Sequence, residues 1–232
     1  MFSIIVPTFN NLDYLKLCLN GIKKNSSYDH EIIIHINEGK DGTKDYLDKT
    51  NFIFTYSKTN AGVCVAFNEA VKKASKKYIV LAHDDMYFCP NWDVVVMEEL
   101  KNIKHEFFYL SGTMIEQKSG HIKFDCGSEL KNFDEKKLLD NYEKLLFYDH
   151  QGSHFAPHLV EKKIWDLVGG FSEEFNPGMG SDPDFNMKLW KVGVRIFKGL
   201  NNFRVYHFSS TTTRKRSDIL ITKGNITFLH KW

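Results

Sequence analysis

Apolar positions fall into short runs separated by stretches with helical spacing. Phe2 to Val6 reads as a buried strand closed by Pro7. Leu12, Leu15, Cys18, Leu19 and Ile22 then follow the 3.6-residue period, with Asn10 or Asn11 as the cap. Glu31 to Ile36 is a second, β-branched strand. Gly39 to Thr43 is a polar turn, and a short helix runs to about Asp48. Phe52 to Tyr56 is a third strand. Gly62 to Ala74 is helical, with Val63, Phe67, Ala70 and Val71 on one face, and Tyr78 to Ala82 is a fourth strand. This alternation predicts an α/β fold built on a parallel sheet with helices on both faces.

The second half is less regular. Trp92 to Ile103 has helical spacing and Phe107 to Ile115 reads as a strand. Lys118 to Phe124 reads as a hairpin arm around Gly120, and Leu138 to Phe147 as a helix. Ile164 to Val168 is a short helix stopped by Gly169 and Gly170. Phe185 to Val192 is a further helix, followed by short strands at Arg195 to Phe197 and Arg204 to Phe208. No linker, repeat or low-complexity segment divides the chain. One domain over residues 1–232 is expected, with a nucleotide-type half to about residue 90 and a substrate half beyond it.

Composition narrows the class. The chain has 232 residues, 42% hydrophobic, enough for one sizeable core. A net charge of +2 gives no ground for nucleic-acid binding. Cys18, Cys64, Cys89 and Cys126 form no zinc spacing, and reduced buried thiols in a cytoplasmic protein are the expectation. The N-terminus enters a strand at once, so no secretory signal is seen, and no run approaches the 18 apolar residues of a membrane span.

The most informative segment is the acidic stop after the fourth strand, His83-Asp84-Asp85. Side chains at the end of a buried strand project into the crevice where open α/β sheets bind ligands. Two adjacent carboxylates there repel each other unless a positive group lies beside them, and a divalent cation carrying a diphosphate meets that need. The ordinary alternative is an acidic turn feeding the next helix.

Further pieces join it in a fixed order. They are Ser3 to Asn10 (SIIVPTFN), Asn37 to Thr43 (NEGKDGT), Asn60 and Gly62 with Asn68, then His83 to Asp85. Val168 to Glu174 (VGGFSEE), Ser181 to Phe185 (SDPDF) and His207 follow. The ordered set resembles family 2 glycosyltransferases over nearly the whole chain. The resemblance implies a GT-A fold: a Rossmann-like, mostly parallel sheet flanked by helices, with a smaller acceptor-side subregion. It also implies transfer of a sugar from a nucleotide donor, by family default a UDP-sugar, to an acceptor hydroxyl, with inversion and with Mn²⁺ or Mg²⁺. The acceptor class is a glycan, a lipid-linked sugar or a protein-linked sugar.

The resemblance also assigns roles. Pro7, Thr8 and Asn10 line the nucleotide pocket, and Asn37 or Glu38 contacts the base or ribose. Asn60, Gly62 and Asn68 bracket a helix whose N-terminus favours negative charge. Asp85 is the direct metal ligand, Asp84 faces the ribose or a metal-bound water, and His207 helps hold the metal or diphosphate. Asp182 is the base that takes the acceptor proton, with Asp184 as its competitor. Two departures stand out. Asn37 occupies the first of two positions that are usually acidic, and Ser181 precedes Asp182 where the family often has Glu.

Weaker signals remain. His150, His154 and His158 are spaced four apart like helical zinc ligands, but Gly152 and Pro157 break such a helix. Arg214, Lys215 and Arg216 form either a loop closing over the diphosphate or a solvated tail. Lys72, Lys73, Lys76 and Lys77 are a solvated face or a peripheral contact with an anionic membrane surface. Two alternatives to a transferase are a sugar nucleotidyltransferase and a non-catalytic binder of glycan or nucleotide sugar. The first needs a Gly-rich basic segment after the first strand, absent from Pro7 to Asn11. The second has no use for a base.

Overall fold

The computed structural model describes residues 1–152, 155–209 and 218–232. Ten strands form one mixed sheet, in the order β3-β2-β1-β4-β9-β6-β10-β5 with β7 on β6 and β8 on β10. β1 (Ser3–Phe9), β2 (Glu31–Asn37), β3 (Ile53–Ser57) and β4 (Tyr78–Leu81) pair in parallel. α1 (Leu12–Asn25), α2 (Thr43–Leu47) and α3 (Val63–Val71) connect them. The period-2 strand pattern divides the core in two. Ile4 and Val6 pack with Leu15, Ile34 and Trp92 on one face, and Ile5 packs with Ile33, Phe67 and Ile79 on the other.

β1 continues through Pro7, which sequence made its end. Its pairing with β4 stops at Ile5, so Pro7 removes no ladder bond on that side. The chain after Asp85 does not enter a helix directly. It first forms β5 (Met86–Phe88), antiparallel to a later strand, and only then α4 (Trp92–Asn102).

The second half corrects several expectations. β6 (Phe108–Glu116) is followed not by a hairpin arm but by β7 (Ile122–Lys123), which pairs with it in parallel register. The helix expected over Leu138 to Phe147 is α5 (Glu135–Asn141), capped by Asp134 and followed by one tight turn. Just beyond it the buried Arg204 guanidinium donates to the carbonyls of Tyr142 and Leu145. β8 (His150–Gln151) and β9 (His158–Glu161) come next. β9 lies antiparallel between β4 and β6, so the sheet is mostly rather than wholly parallel. α6 (Lys162–Val168) ends at Gly169 in the left-handed region, and α7 (Ser181–Lys191) follows. The two short strands expected after it are one strand, β10 (Ile196–His207), with an irregularity between Gly199 and Arg204. α8 (Asp218–Lys231) had no clear sequence signal. All four cysteines are buried free thiols, and no described helix is long and apolar enough to cross a membrane.

Candidate active site

The C-terminal ends of β1, β2, β3 and β4 share one edge of the sheet, and the sequence-derived donor residues cluster along it. Thr8 is buried, and its hydroxyl lies beside the Asp84 carboxyl. Asn10 turns the chain at φ 47° and Glu38 does so at φ 65°. The Asn10 amide donates to Glu38 Oε2 at 2.8 Å, while Asn10 Oδ1 accepts from Lys40 N at 2.8 Å. These two loops therefore lock each other, and the Asn10 and Lys40 contacts hold the Glu38 carboxyl below its usual pKa. Asn37 is buried, with Oδ1 accepting from Ala61 N at 3.0 Å, and Asn60 Oδ1 accepts from Gly62 N at 3.0 Å.

The acidic stop lies at the same edge. Strand pairing sets His207 opposite Met86, next to Asp85. His207 Nε2 is 3.4 Å from Asp85 Oδ1, and Nδ1 is 2.6 Å from Glu116 Oε1. Asp85 and Glu116 are both buried, and Phe208 N donates to the Asp85 carbonyl at 3.1 Å. Burial alone would lower the His207 pKa. The Asp85 and Glu116 carboxylates outweigh it and raise the imidazole to about 10. For Glu116 burial also opposes the net effect. Hydrogen bonds from His207, Ser119 and Ser209 hold its carboxyl well below the usual carboxylate range. Burial, and then repulsion from Asp85, push the Asp84 carboxyl up, while nearby Thr8 and Asn11 favour its charged form.

Glu116 escaped the sequence reading. Its signal was available: the run Phe107 to Ile115 stops on a carboxylate, much as Tyr78 to Ala82 is followed, after His83, by Asp84 and Asp85. A histidine that gives one ring nitrogen to a carboxylate while the other faces a second carboxylate has the arrangement typical of metal-binding histidines. Asp85 and His207 thus fit two positions of a divalent site. No group of three or more His, Cys, Asp or Glu side chains able to hold a metal forms among the described residues.

Asp182 occupies the first turn of α7, where Gly180, not Asp182, is the capping residue. Its carboxyl has no hydrogen-bond partner among the described residues, and burial raises its pKa to about 7. Asp184, its competitor, is fully buried and bound at Oδ1 by Lys231 Nζ and Trp232 Nε1, each at 2.9 Å. It therefore anchors α8.

Two expected donor residues are differently employed. The Asn68 amide is spent on Phe171, donating to its carbonyl and accepting from its N–H, each at 2.9 Å. Gly62 is a glycine because a Cβ there would lie 2.2 Å from Asn176 Oδ1. His150 and His158 sit on different strands, while His154 and the run Arg214 to Arg216 lie outside the described residues. Lys72 is paired with Glu69 at 2.6 Å.

Residues 3–158 match the family described as Glycosyl transferase family 2. The chain belongs to that family. Over 224 residues it is 27% identical to an uncharacterized glycosyltransferase of Rickettsia prowazekii, covering 92% of this chain and 66% of the relative. Over 223 residues it is 26% identical to the hyaluronan synthase of Pasteurella multocida, covering 93% of this chain and 21% of the synthase. The chain thus spans just under two thirds of the first and about a fifth of the second. Among solved structures, S. aureus TarS (1-349) in complex with UDP-GlcNAc aligns with a TM-score of 0.64 and 17% identity, over 90% of this chain and 61% of that one. GalNAc-T7 with UDP, GalNAc and Mn²⁺ aligns with a TM-score of 0.66 and 12% identity, over 89% and 43%. The fold is accordingly GT-A: a central, mostly parallel sheet flanked by helices.

Proposed function

We propose that this family 2 glycosyltransferase moves a sugar from a UDP-sugar to an acceptor hydroxyl, with inversion, a divalent cation and Asp182 as the base. The acceptor class is a sugar on a glycan, lipid or protein. The observation that carries the metal reading is the imidazole of His207, fastened to Glu116 through Nδ1 with Nε2 facing Asp85. Asp85 and His207 would hold Mn²⁺ or Mg²⁺, which neutralises the departing diphosphate when bound. Asp84, beside the Thr8 hydroxyl, would face the ribose or the ion's water. Pro7, Asn10, Asn37, Glu38 and Asn60 would line the nucleotide along the strand ends, with the acceptor on the side of the second half. TarS with UDP-GlcNAc and GalNAc-T7 with UDP and Mn²⁺ support this choice of ligands by their shared fold.

Asp182 suits proton abstraction because a base works best with a pKa near the operating pH, and it is raised to about 7. The test is a thermal-shift screen of UDP-sugars with and without Mn²⁺, followed by transfer assays. A ligand that binds the folded state raises its stability, so one UDP-sugar should raise Tm in a Mn²⁺-dependent way. No shift with any UDP-sugar would overturn the donor assignment, and a shift indifferent to Mn²⁺ and Mg²⁺ the metal assignment.

A further inference from the structure

The loop between α6 and α7 carries Asp182 into place, and α3 grips it at several points. At the far end, Asn68 forms its two reciprocal bonds with the Phe171 backbone and reaches Glu173 Oε1 at 3.2 Å. One turn nearer the site, Asn176 Oδ1 accepts from Cys64 N at 3.1 Å. α3 has no side-chain cap of its own, so a residue 112 positions later in the chain satisfies its N-terminal donor. An anionic ligand therefore does not find that N–H free.

The contact is also sterically exact on both partners. A Cβ on Gly170 would come within 2.5 Å of Asn68 Oδ1, and one on Gly178 within 2.7 Å of Val63 Cγ1. Gly62 meets Asn176 in the same way. Three glycines at one seam leave the loop little room to shift. From α7 itself, Lys188 Nζ donates to the Gly170 carbonyl at 2.5 Å. The seam reaches the donor edge as well, because Asn37 holds Ala61, the neighbour of Gly62.

We infer that Asn176 and Asn68 are positioning residues: they fasten the base loop to α3, so that donor seating at the end of β2 and the placement of Asp182 are set by one rigid body. The inference rests on the reading of Asp182 as the base. A misplacement of the order of an ångström can lower turnover about 100-fold without touching the reacting groups.

The test compares Asn176→Ala, Asn176→Asp and Asn68→Ala with the wild type. The assay donor is the UDP-sugar that stabilises the wild type most. Asn176→Ala should lower kcat about 10- to 100-fold while UDP–Mn²⁺ affinity, read by calorimetry, changes less than about twofold. Asn176→Asp keeps the oxygen that accepts from Cys64 N and should recover most of the kcat. Asn68→Ala supplies the same readout should Asn176→Ala fail to fold. Wild-type kcat in a folded alanine variant would overturn the inference. So would equal losses of kcat and UDP affinity that Asn176→Asp does not restore. Asp182→Asn, assayed in parallel, separates the two levels. If it keeps wild-type turnover, the base reading fails and the inference with it. If it is inactive while both alanine variants turn over normally, only the inference fails.

Discussion

The two acidic centres of this protein are built in opposite ways. At the ends of β4, β6 and β10, Asp85 and Glu116 face the two ring nitrogens of His207, whose charge holds Glu116 ionised until a metal ion replaces the proton on Nε2. At the first turn of α7, Asp182 has no such partner, and burial raises its pKa to about 7. A carboxylate that must hold a cation is best kept ionised. One that must take a proton is best poised near neutrality. Under the proposed roles, the contrast between Glu116 and Asp182 suits one to supporting a metal site and the other to taking a proton.

The sharpest test of this contrast is Asp182→Asn. Transfer should fall by about 10²- to 10⁴-fold, with UDP–Mn²⁺ binding retained; loss of both in calorimetry would make Asp182 a structural residue. The variant should also be more stable at pH 8. A carboxyl raised from 3.8 to about 7 binds more protons folded than unfolded between those values. Its contribution to stability therefore declines as pH rises from about 4 to about 7 and stays low above. Removing the charge should raise Tm at pH 8 by roughly 2–4 °C and do nothing comparable at pH 4. By the same reasoning kcat/KM of the wild type should climb through about pH 7, and a flat profile from pH 5 to 9 would separate Asp182 from the proton transfer.

At the other centre, Asp85→Ala should abolish stimulation by Mn²⁺, a loss on the order of 10²-fold or more. Unchanged metal dependence would break the comparison on that side. Glu116→Gln is a milder probe, expected to weaken Mn²⁺ binding about 10- to 100-fold by freeing the ring of His207, as read by the paramagnetic resonance of free Mn²⁺. The smallest effect on catalysis belongs to Lys231→Ala, which strips one partner from the buried Asp184 and should cost about 1–3 kcal/mol in urea unfolding with kcat unchanged. A large loss of kcat would give Asp184 a share in the chemistry.

Much of this was legible in the chain. The parallel half followed from continuous apolar runs alternating with period-3.6 spacing between Phe2 and Leu81, because strands buried on both faces leave such runs. Motif order singled out Asp84, Asp85, Asp182 and His207 as candidates. What was missed depends on contacts distant in sequence. β9 is too short and too irregularly flanked to announce that it slots between β4 and β6. α5 stops at Asn141 although the apolar spacing runs on, and the carbonyls of Tyr142 and Leu145 are bonded by Arg204, some sixty residues later. Asn68 sits where a donor contact was expected, yet its amide is paired with a backbone that no local pattern names.

The sequence by itself therefore determined the α/β class, which is written in local spacing, and the family and the residue types at the strand ends, which the ordered motifs carry. Only the tertiary structure decided partnership. It joined Glu116 to His207, gave Asp184 to Lys231 and left Asp182 without a partner among the described residues, and it bound the loop before α7 to α3. The physical reason is that the charge state and orientation of a buried side chain are set by what surrounds it, and those neighbours come from residues far apart in the chain.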